Sequence, residues 1–290
     1  MKIVFITDLH VKATSGVRTG DYLQDILRKL EWVAEYTNSI GGQCVIGGDV
    51  FDTATVTDVV KNQLISVLKK FDKTPYSIWG NHDMRYGGED FNNMTSLGVL
   101  FVSEVLKELT YEDFGDFIMT GGRCPVETVG KPQIAVRHAL INMPDTWAMQ
   151  LDEFRTEDPC VVLMGHDHTS YSEPLLIGDN IRIYRPGSFT RTKRVAEDLR
   201  IPRVLVIDTD ENMRVTSVAI PTARPTDDLF KLDVGMVEVE DATEAVSYDD
   251  LIERISGSST RKLSFDECLQ SVCEPDVIEL IHRVENEMKK

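Results

Sequence analysis

The sequence predicts an α/β fold in which two packed sheets carry helices on their outer faces. Three observations predict it. Apolar runs of strand length alternate with amphipathic stretches of helix length near the start of the chain, strand-like runs dominate further on, and clusters of polar residues fall where the apolar runs stop.

Lys2 to Thr7 reads as a buried strand, because its β-branched and aromatic residues do not alternate with polar ones. Val11 to Thr19, with Gly16 and small polar residues, reads as a loop. From Asp21 to Thr37 the positions Leu23, Ile26, Leu27, Leu30, Val33 and Tyr36 recur at helical spacing, and Gly41-Gly42 ends the unit. Gln43 to Gly47 is the second strand. Thr57 to Phe71 is the second helix, with Val59, Val60, Leu64, Leu68 and Phe71 on one side, and Pro75 to Trp79 is the third strand. Strand, helix, strand, helix, strand implies parallel pairing with the helices outside. In such sheets ligands gather beyond the carboxyl ends of the strands.

Phe91 to Glu104 is predicted helical. Glu108–Tyr111, Phe117–Thr120, Gln133–His138, Cys160–Met164, Arg182–Arg185, Arg203–Asp208 and Arg214–Ile220 are strand-like, and Met143 to Phe154 reads as a loop with a helical turn. Pro221-Thr222-Ala223-Arg224-Pro225 is the best boundary. It divides a domain over residues 1–222 from an appendage over 223–290, where Lys231–Glu240 reads as a strand and Asp249–Ile255, Ser264–Leu269 and Asp276–Met288 read as helices.

The chain has 290 residues, enough for one large domain or a domain plus an appendage. No apolar stretch approaches the roughly 18 residues of a membrane span, and the first apolar run stops at Asp8, unlike a signal peptide. Five cysteines, Cys44, Cys124, Cys160, Cys268 and Cys273, are odd in number and scattered, as expected of free thiols in a reducing cytoplasm. The net charge of −17 argues against passive adhesion to nucleic acid.

The chemistry lies in the strand ends. Asp8-Leu9-His10, Gly48-Asp49-Val50-Phe51-Asp52, Gly80-Asn81-His82-Asp83, His138 and Gly165-His166-Asp167-His168 each follow an apolar run. A histidine after a strand is ordinarily a loop residue, and Gly-Asn is ordinary turn chemistry. Five of the six histidines, however, share one kind of place, with Asp8, Asp49 and Asn81 beside them; only His282 lies elsewhere. Asp, Asn and His without Cys suit divalent ions such as manganese, iron or zinc. Two ions about 3.5–4 Å apart can clamp a phosphoryl oxygen and deprotonate a water between them.

In order and spacing these five clusters resemble the motifs of the calcineurin-like metallophosphoesterase superfamily, over roughly residues 1–220. The resemblance implies a four-layer αββα sandwich, here with a small C-terminal α+β appendage, and a two-metal phosphoesterase. Manganese is the expected metal, with iron, zinc or magnesium as the others the site would accept. Carried over, Asp8, His10, Asp49 and His168 hold one ion, and Asp49, Asn81, His138 and His166 the other. His82 stands by the scissile phosphate as acid or charge stabiliser, Asp83 positions it, and Asp52 orients a ligand.

Within the superfamily the chain is most similar to the SbcD-type nuclease subunit of double-strand-break repair. The similarity rests on Asp8-Leu9-His10, on Phe51 in the second cluster and on Tyr184-Arg185-Pro186-Gly187-Ser188. It implies DNA as substrate, attack by a hydroxide bridging the ions, an SbcC-type coiled-coil ATPase as partner, and homodimer contacts over Thr57–Leu68 and Phe91–Leu100. No membrane role is expected.

One segment supports a polyanionic substrate independently. Between residues 182 and 203 stand Arg182, Arg185, Arg191, Lys193, Arg194, Arg200 and Arg203 against Glu197 and Asp198, seven positive less two negative. Arg185, Arg191, Lys193 and Arg194, with Arg85, are the expected DNA-binding residues; the bland alternative is a loop whose charges pair with the acidic remainder. Two other function classes stay open: a phosphoesterase for small molecules, which the acidity favours, and a scaffold without catalysis, which the complete set of ligand types disfavours.

Overall fold

The computed structural model describes residues 1–85, 94–141, 148–192 and 200–230. Strand β1 (Lys2–Ile6) is buried from Ile3 onward. Helix α1 (Tyr22–Ser39) starts at Asp21, whose carboxylate accepts from the Gln24 amide at 3.0 Å, and ends before Gly41, which supplies the left-handed φ of 61°. Then come β2 (Gln43–Ile46), α2 (Asp58–Leu68), β3 (Tyr76–Ser77), α3 (Ser96–Val102) and β4 (Lys107–Glu108). Strands β5 (Tyr111–Asp113), β6 (Ile118–Gly121), β7 (Val126–Glu127), β8 (Gln133–His138), β9 (Leu140–Ile141), β10 (Ala148–Met149) and β11 (Phe154–Arg155) follow. The last are β12 (Cys160–Gly165), β13 (Leu175–Ile177), β14 (Ile181–Tyr184), β15 (Arg203–Asp208) and β16 (Arg214–Ala219).

Two six-stranded sheets result, in the orders β16-β15-β1-β2-β3-β4 and β13-β14-β12-β8-β6-β5. In the first, β1 to β4 are parallel and β15 closes on β1 antiparallel. In the second, β6, β8, β12 and β14 are parallel, with antiparallel edges. Alternation along β1 sorts the core. Ile3 and Phe5 face the second sheet, against Ile134, Val136, Val161 and Leu163, while Val4 and Ile6 face Ile26, Leu30, Leu64 and Leu97 of the helices.

The mixed α/β fold with flanking helices therefore holds, and among the described residues α1, α2 and α3 pack on the first sheet. On the outer face of the second sheet, Ala135, Val162 and Ile183 are covered by Val126 and Phe154, with Met149 and Leu151 beside them. Among the described residues that layer is short strand pairs and a 3-10 turn at Leu151–Glu153.

Local departures from expectation have physical causes. The helix expected over Phe91–Glu104 is described from Ser96, where Thr95 caps it by accepting from the Gly98 amide at 3.1 Å. The single strand expected over Glu108–Tyr111 is two, because the chain leaves one sheet after Glu108 and enters the other at Tyr111. Residues 223–230, expected in the appendage, are bound to the loop before α1 and to its first turn. Arg224 donates to the Thr19 carbonyl at 2.8 Å and to Asp25 at 3.1 Å, and the Thr19 amide donates to the Leu229 carbonyl at 3.0 Å. The strand and three helices expected between residues 231 and 288, with Cys268, Cys273 and His282, lie outside the described residues.

Candidate metal centre

The parallel strands β1, β2 and β3 deliver Asp8, Asp49 and Asn81 at their carboxyl ends, and β8 and β12 deliver His138, His166 and His168 from the other sheet. Hydrogen bonds join the two sets across the sheets. The His166 amide donates to Asp8 Oδ1 at 3.1 Å, and His138 Nδ1 pairs with the Gly47 carbonyl at 2.8 Å. A carbonyl only accepts, so His138 carries a proton on Nδ1 and turns Nε2 into the site as the atom that can take up a second proton or a cation.

Four residues of the cluster hold left-handed backbone without being glycine: Asp8 (φ 56°), His10 (45°), Asp49 (50°) and His166 (84°). Such conformations cost on the order of 1–3 kcal/mol each and persist where the surroundings impose them, typically at functional sites. Glycine makes the close approach possible. A Cβ on Gly80 would overlap the carboxylate and amide of Asp49, and one on Gly48 (φ 88°) would stand 2.7 Å from His138 Nδ1.

Among the described residues three groups of side chains could hold a cation: His10, Asp52 and His82 form one at the rim, and the other two lie around one carboxylate. Asp8, His10 and His168 form the first of these two, and Asp49, His138 and His166 the second. Asp49 Oδ2 lies 3.7 Å from His10 Nε2 and 3.3 Å from His138 Nε2, between the two. Asn81 Oδ1 sits 3.0 Å from His138 Nε2 and 2.8 Å from His166 Nδ1. His10 Nε2 and His168 Nε2 stand 3.0 Å apart.

The residues fit divalent cations. Nitrogen ligands bind such ions at about 2.0–2.1 Å, so two on one ion at a right angle are about 3 Å apart. Asp8 Oδ2 is buried with no hydrogen-bond partner among the described residues, and a cation between the donor groups would give it one. Burial raises the Asp8 pKa, with the Asp49 charge adding to it, and burial holds the His10 imidazole down at about 3. Burial would also raise Asp49 and lower His138, but their mutual attraction wins. Asp49 is held below the carboxylate range and His138 above the imidazole range. The positive charge His138 takes up beside Asp49 is one that a cation would otherwise supply.

His82 is exposed on the rim. Its Nδ1 pairs with the Asp52 carbonyl at 2.7 Å, its amide donates to Asp49 Oδ1 at 2.9 Å, and its ring meets His10 edge-on at 4.8 Å. Asp52 also places a carboxylate oxygen 3.6 Å from His10 Nδ1 while accepting from Lys12 at 3.0 Å.

Asp83 does not orient His82, contrary to the expectation. It is fully buried, and its carboxylate accepts from the amides of Val50, Phe51 and Gly80 at 3.2, 3.0 and 3.1 Å. It fastens the Asp49 loop to the Asn81 loop. The imidazole is held by Asp52 instead.

The basic segment is also corrected. Arg185 is buried, paired with Asp167, bonded to Thr169 at 2.9 Å and stacked on Tyr171 at 4.1 Å, so it braces the loop of His166 and His168. Arg191 is 1% exposed and donates to the Arg224 carbonyl at 2.6 Å. Arg200 donates to the carbonyls of His168 and Ser188 at 3.2 and 3.0 Å. Neither Arg185 nor Arg191 presents a surface to DNA. Lys193 and Arg194 lie outside the described residues, and Arg85 is half-buried.

Sequence reasoning missed several supports of the site. Ser188 Oγ and the Thr190 amide both donate to the Asp8 carbonyl, at 3.1 and 3.3 Å, and Tyr22 donates to the His10 carbonyl at 3.1 Å. Ser188 ends the Tyr184–Ser188 run, but neither Thr190 nor Tyr22 carries a local signal.

The family model for calcineurin-like phosphoesterases matches residues 1–170. No curated protein matches the chain. Among solved structures, an archaeal phosphodiesterase is 16% identical with a TM-score of 0.41, over 76% of this chain and 99% of that one. A 5′-nucleotidase precursor from Thermus thermophilus is 11% identical with a TM-score of 0.41, over 78% of this chain and 55% of that one. The NAD nucleotidase of Haemophilus influenzae is 12% identical with a TM-score of 0.39, over 75% of this chain and 49% of that one.

Proposed function

Since the chain belongs to the calcineurin-like phosphoesterase family, we propose that it hydrolyses phosphodiester bonds of DNA with two divalent cations, manganese being the working metal. The observation that carries the two-cation reading is the place of Asp49 Oδ2, within 3.7 Å of a nitrogen from each donor set. Cations held there would supply Lewis-acid charge to a phosphoryl group and a water of lowered pKa.

The chain's own residues do the rest. His138 keeps its proton on Nδ1 against Gly47, so its Nε2 stays a ligand. Asn81 contributes a neutral oxygen between His138 and His166, which leaves the site more electrophilic than a carboxylate would. His82, held through Nδ1 by the Asp52 carbonyl, would as the imidazolium carry a second proton on Nε2, the one it gives to the leaving 3′-oxygen, and so return to the neutral ring. Support for DNA comes from the residues of the first two clusters and of Tyr184–Ser188. Contacts to the strand then fall to Arg85, Lys193 and Arg194, and the reading includes a coiled-coil ATPase as partner.

Small phosphoesters are the second reading, favoured by the net charge of −17 and by the internal pairing of Arg185 and Arg191. Manganese-loaded protein offered linear duplex DNA, single-stranded DNA and p-nitrophenyl phosphodiesters separates the two. Loss of DNA that Asp49→Ala abolishes supports the first. Turnover of small esters with DNA intact, even beside the ATPase, supports the second.

A further inference from the structure

Beside the metal centre lies a cavity of about 680 Å³ that shares one wall with it. That wall is His138, whose Nε2 faces Asp49 and Asn81. The volume is within the roughly 300–1,000 Å³ typical of sites for small organic ligands, and is far more than a phosphoryl group needs. Trp79, Met84 and Met149 supply flat and polarisable apolar surface, Glu108 stands beside the indole, and Arg123 is at the mouth.

The indole is set in place before any ligand arrives. Its Nε1 donates to Glu108 at 2.7 Å, and its ring meets Phe101 edge-on at 5.2 Å. A preset aromatic face loses little freedom on binding a second planar ring. Electrostatics fix the direction. Glu108 repels an anion from the indole side and accepts from ring N–H groups, so a phosphate belongs at the His138 side and a neutral ring at the Trp79 side. Arg123 is exposed and, among the described residues, has no hydrogen-bonded or ion-paired partner; it can meet a ring acceptor or a second phosphate.

We propose that this cavity binds the nucleobase-sized planar group of a phosphate ester whose phosphate lies in the metal centre, with Trp79 as the stacking face and Arg123 as the polar contact at the mouth. This rests on the phosphoesterase reading above. The ring belongs either to a free nucleotide or to the terminal nucleotide of a strand, and the cavity chemistry is the same for both.

The test is calorimetric titration of the full chain loaded with manganese, using adenosine monophosphate, methyl phosphate and a short oligodeoxyadenylate as probes. Base–aromatic stacking predicts that adenosine monophosphate binds at least about fivefold more tightly than methyl phosphate. Trp79→Ala should erase that ratio and leave methyl phosphate binding unchanged, and Trp79→Phe should keep most of it. Arg123→Ala, at an exposed position outside the core, should weaken adenosine monophosphate but not methyl phosphate. The same losses with the oligonucleotide identify a strand terminus as the ligand; losses confined to the mononucleotide identify a free nucleotide. If both substitutions leave the ratio unchanged while p-nitrophenyl esters are still turned over, the cavity proposal falls and the phosphoesterase reading stands. If neither phosphate binds and no ester is turned over, both fall.

Discussion

His10 Nε2 and His168 Nε2 face each other at 3.0 Å although 158 residues separate them in the chain. Removing either should cost one cation and leave the other. His168→Ala is the cleaner choice, because that side chain is 30% exposed and His10 is buried. Metal content by mass spectrometry should fall from about two per chain to about one, with affinity at the damaged position down by more than about 10–100-fold, the range for losing an outer partner alone. Full retention of both ions would remove His168 from the ligand set.

His82→Ala should behave differently. The ring is on the rim and is held through Nδ1 by the Asp52 carbonyl, so both ions should stay and the fold should be unaffected. Turnover should fall about 10²–10⁴-fold, as general acid loss does. Metal content that falls along with turnover would make His82 a ligand instead.

Asp83→Ala should act on stability. Three buried amides, of Val50, Phe51 and Gly80, would lose their acceptor. An orphaned buried donor costs about 1–3 kcal/mol, so a loss of about 3 kcal/mol or more is expected from urea titration of metal-free protein. A loss of activity with unchanged stability would restore Asp83 to a role beside His82.

Arg185→Ala should also show itself in stability and not in the salt dependence of DNA binding. Its guanidinium is spent on Asp167, Thr169 and Tyr171. Removing one cation that binds a phosphate lowers the salt slope by about one, and Arg185→Ala should leave that slope as it is. The paired variant Lys193→Ala/Arg194→Ala is the one expected to flatten it.

Lys29, whose ammonium donates to the Phe189 carbonyl at 2.5 Å, predicts a pH effect from a group that is not a candidate ligand. Burial, with Arg191 and Arg18 nearby, lowers its pKa well below 10.5. The unfolded chain keeps that proton up to about 10.5 while the folded chain releases it earlier, so unfolding takes up a proton in between. Stability should therefore rise with pH through that window, by up to about 1.4 kcal/mol per pH unit from this group. Urea midpoints at pH 7 and 9 should show the rise, and Lys29→Met should flatten it.

The strand ends were legible because each carries two signals at once, an apolar run and then ligand-type residues, as in Ile3–Ile6 followed by Asp8 and His10. Parallel order then requires those ends to share one edge of the sheet. Charge was legible at Arg185 and Arg191, but burial was not. The carbonyls and carboxylate that receive them come from Arg224, Asp167 and the turns around them, which no local pattern announces. The role that the resemblance implied for Asp83 fails for the same reason: the turn sends the side chains of His82 and Asp83 to different partners. The pairs β7–β11 and β9–β10 are two residues a strand, too short for any periodicity to register.

Asp8 takes support on its carbonyl from Ser188 and Thr190, and β1 pairs with β15 near residue 205. A chain emerging from the ribosome thus exposes its first would-be ligands long before their counterparts have been synthesised. Competence therefore waits until the segment from Ser188 to Leu205 has been made. A product that stops before Ser188 would lack the groups that hold the Asp8 carbonyl and should be inert.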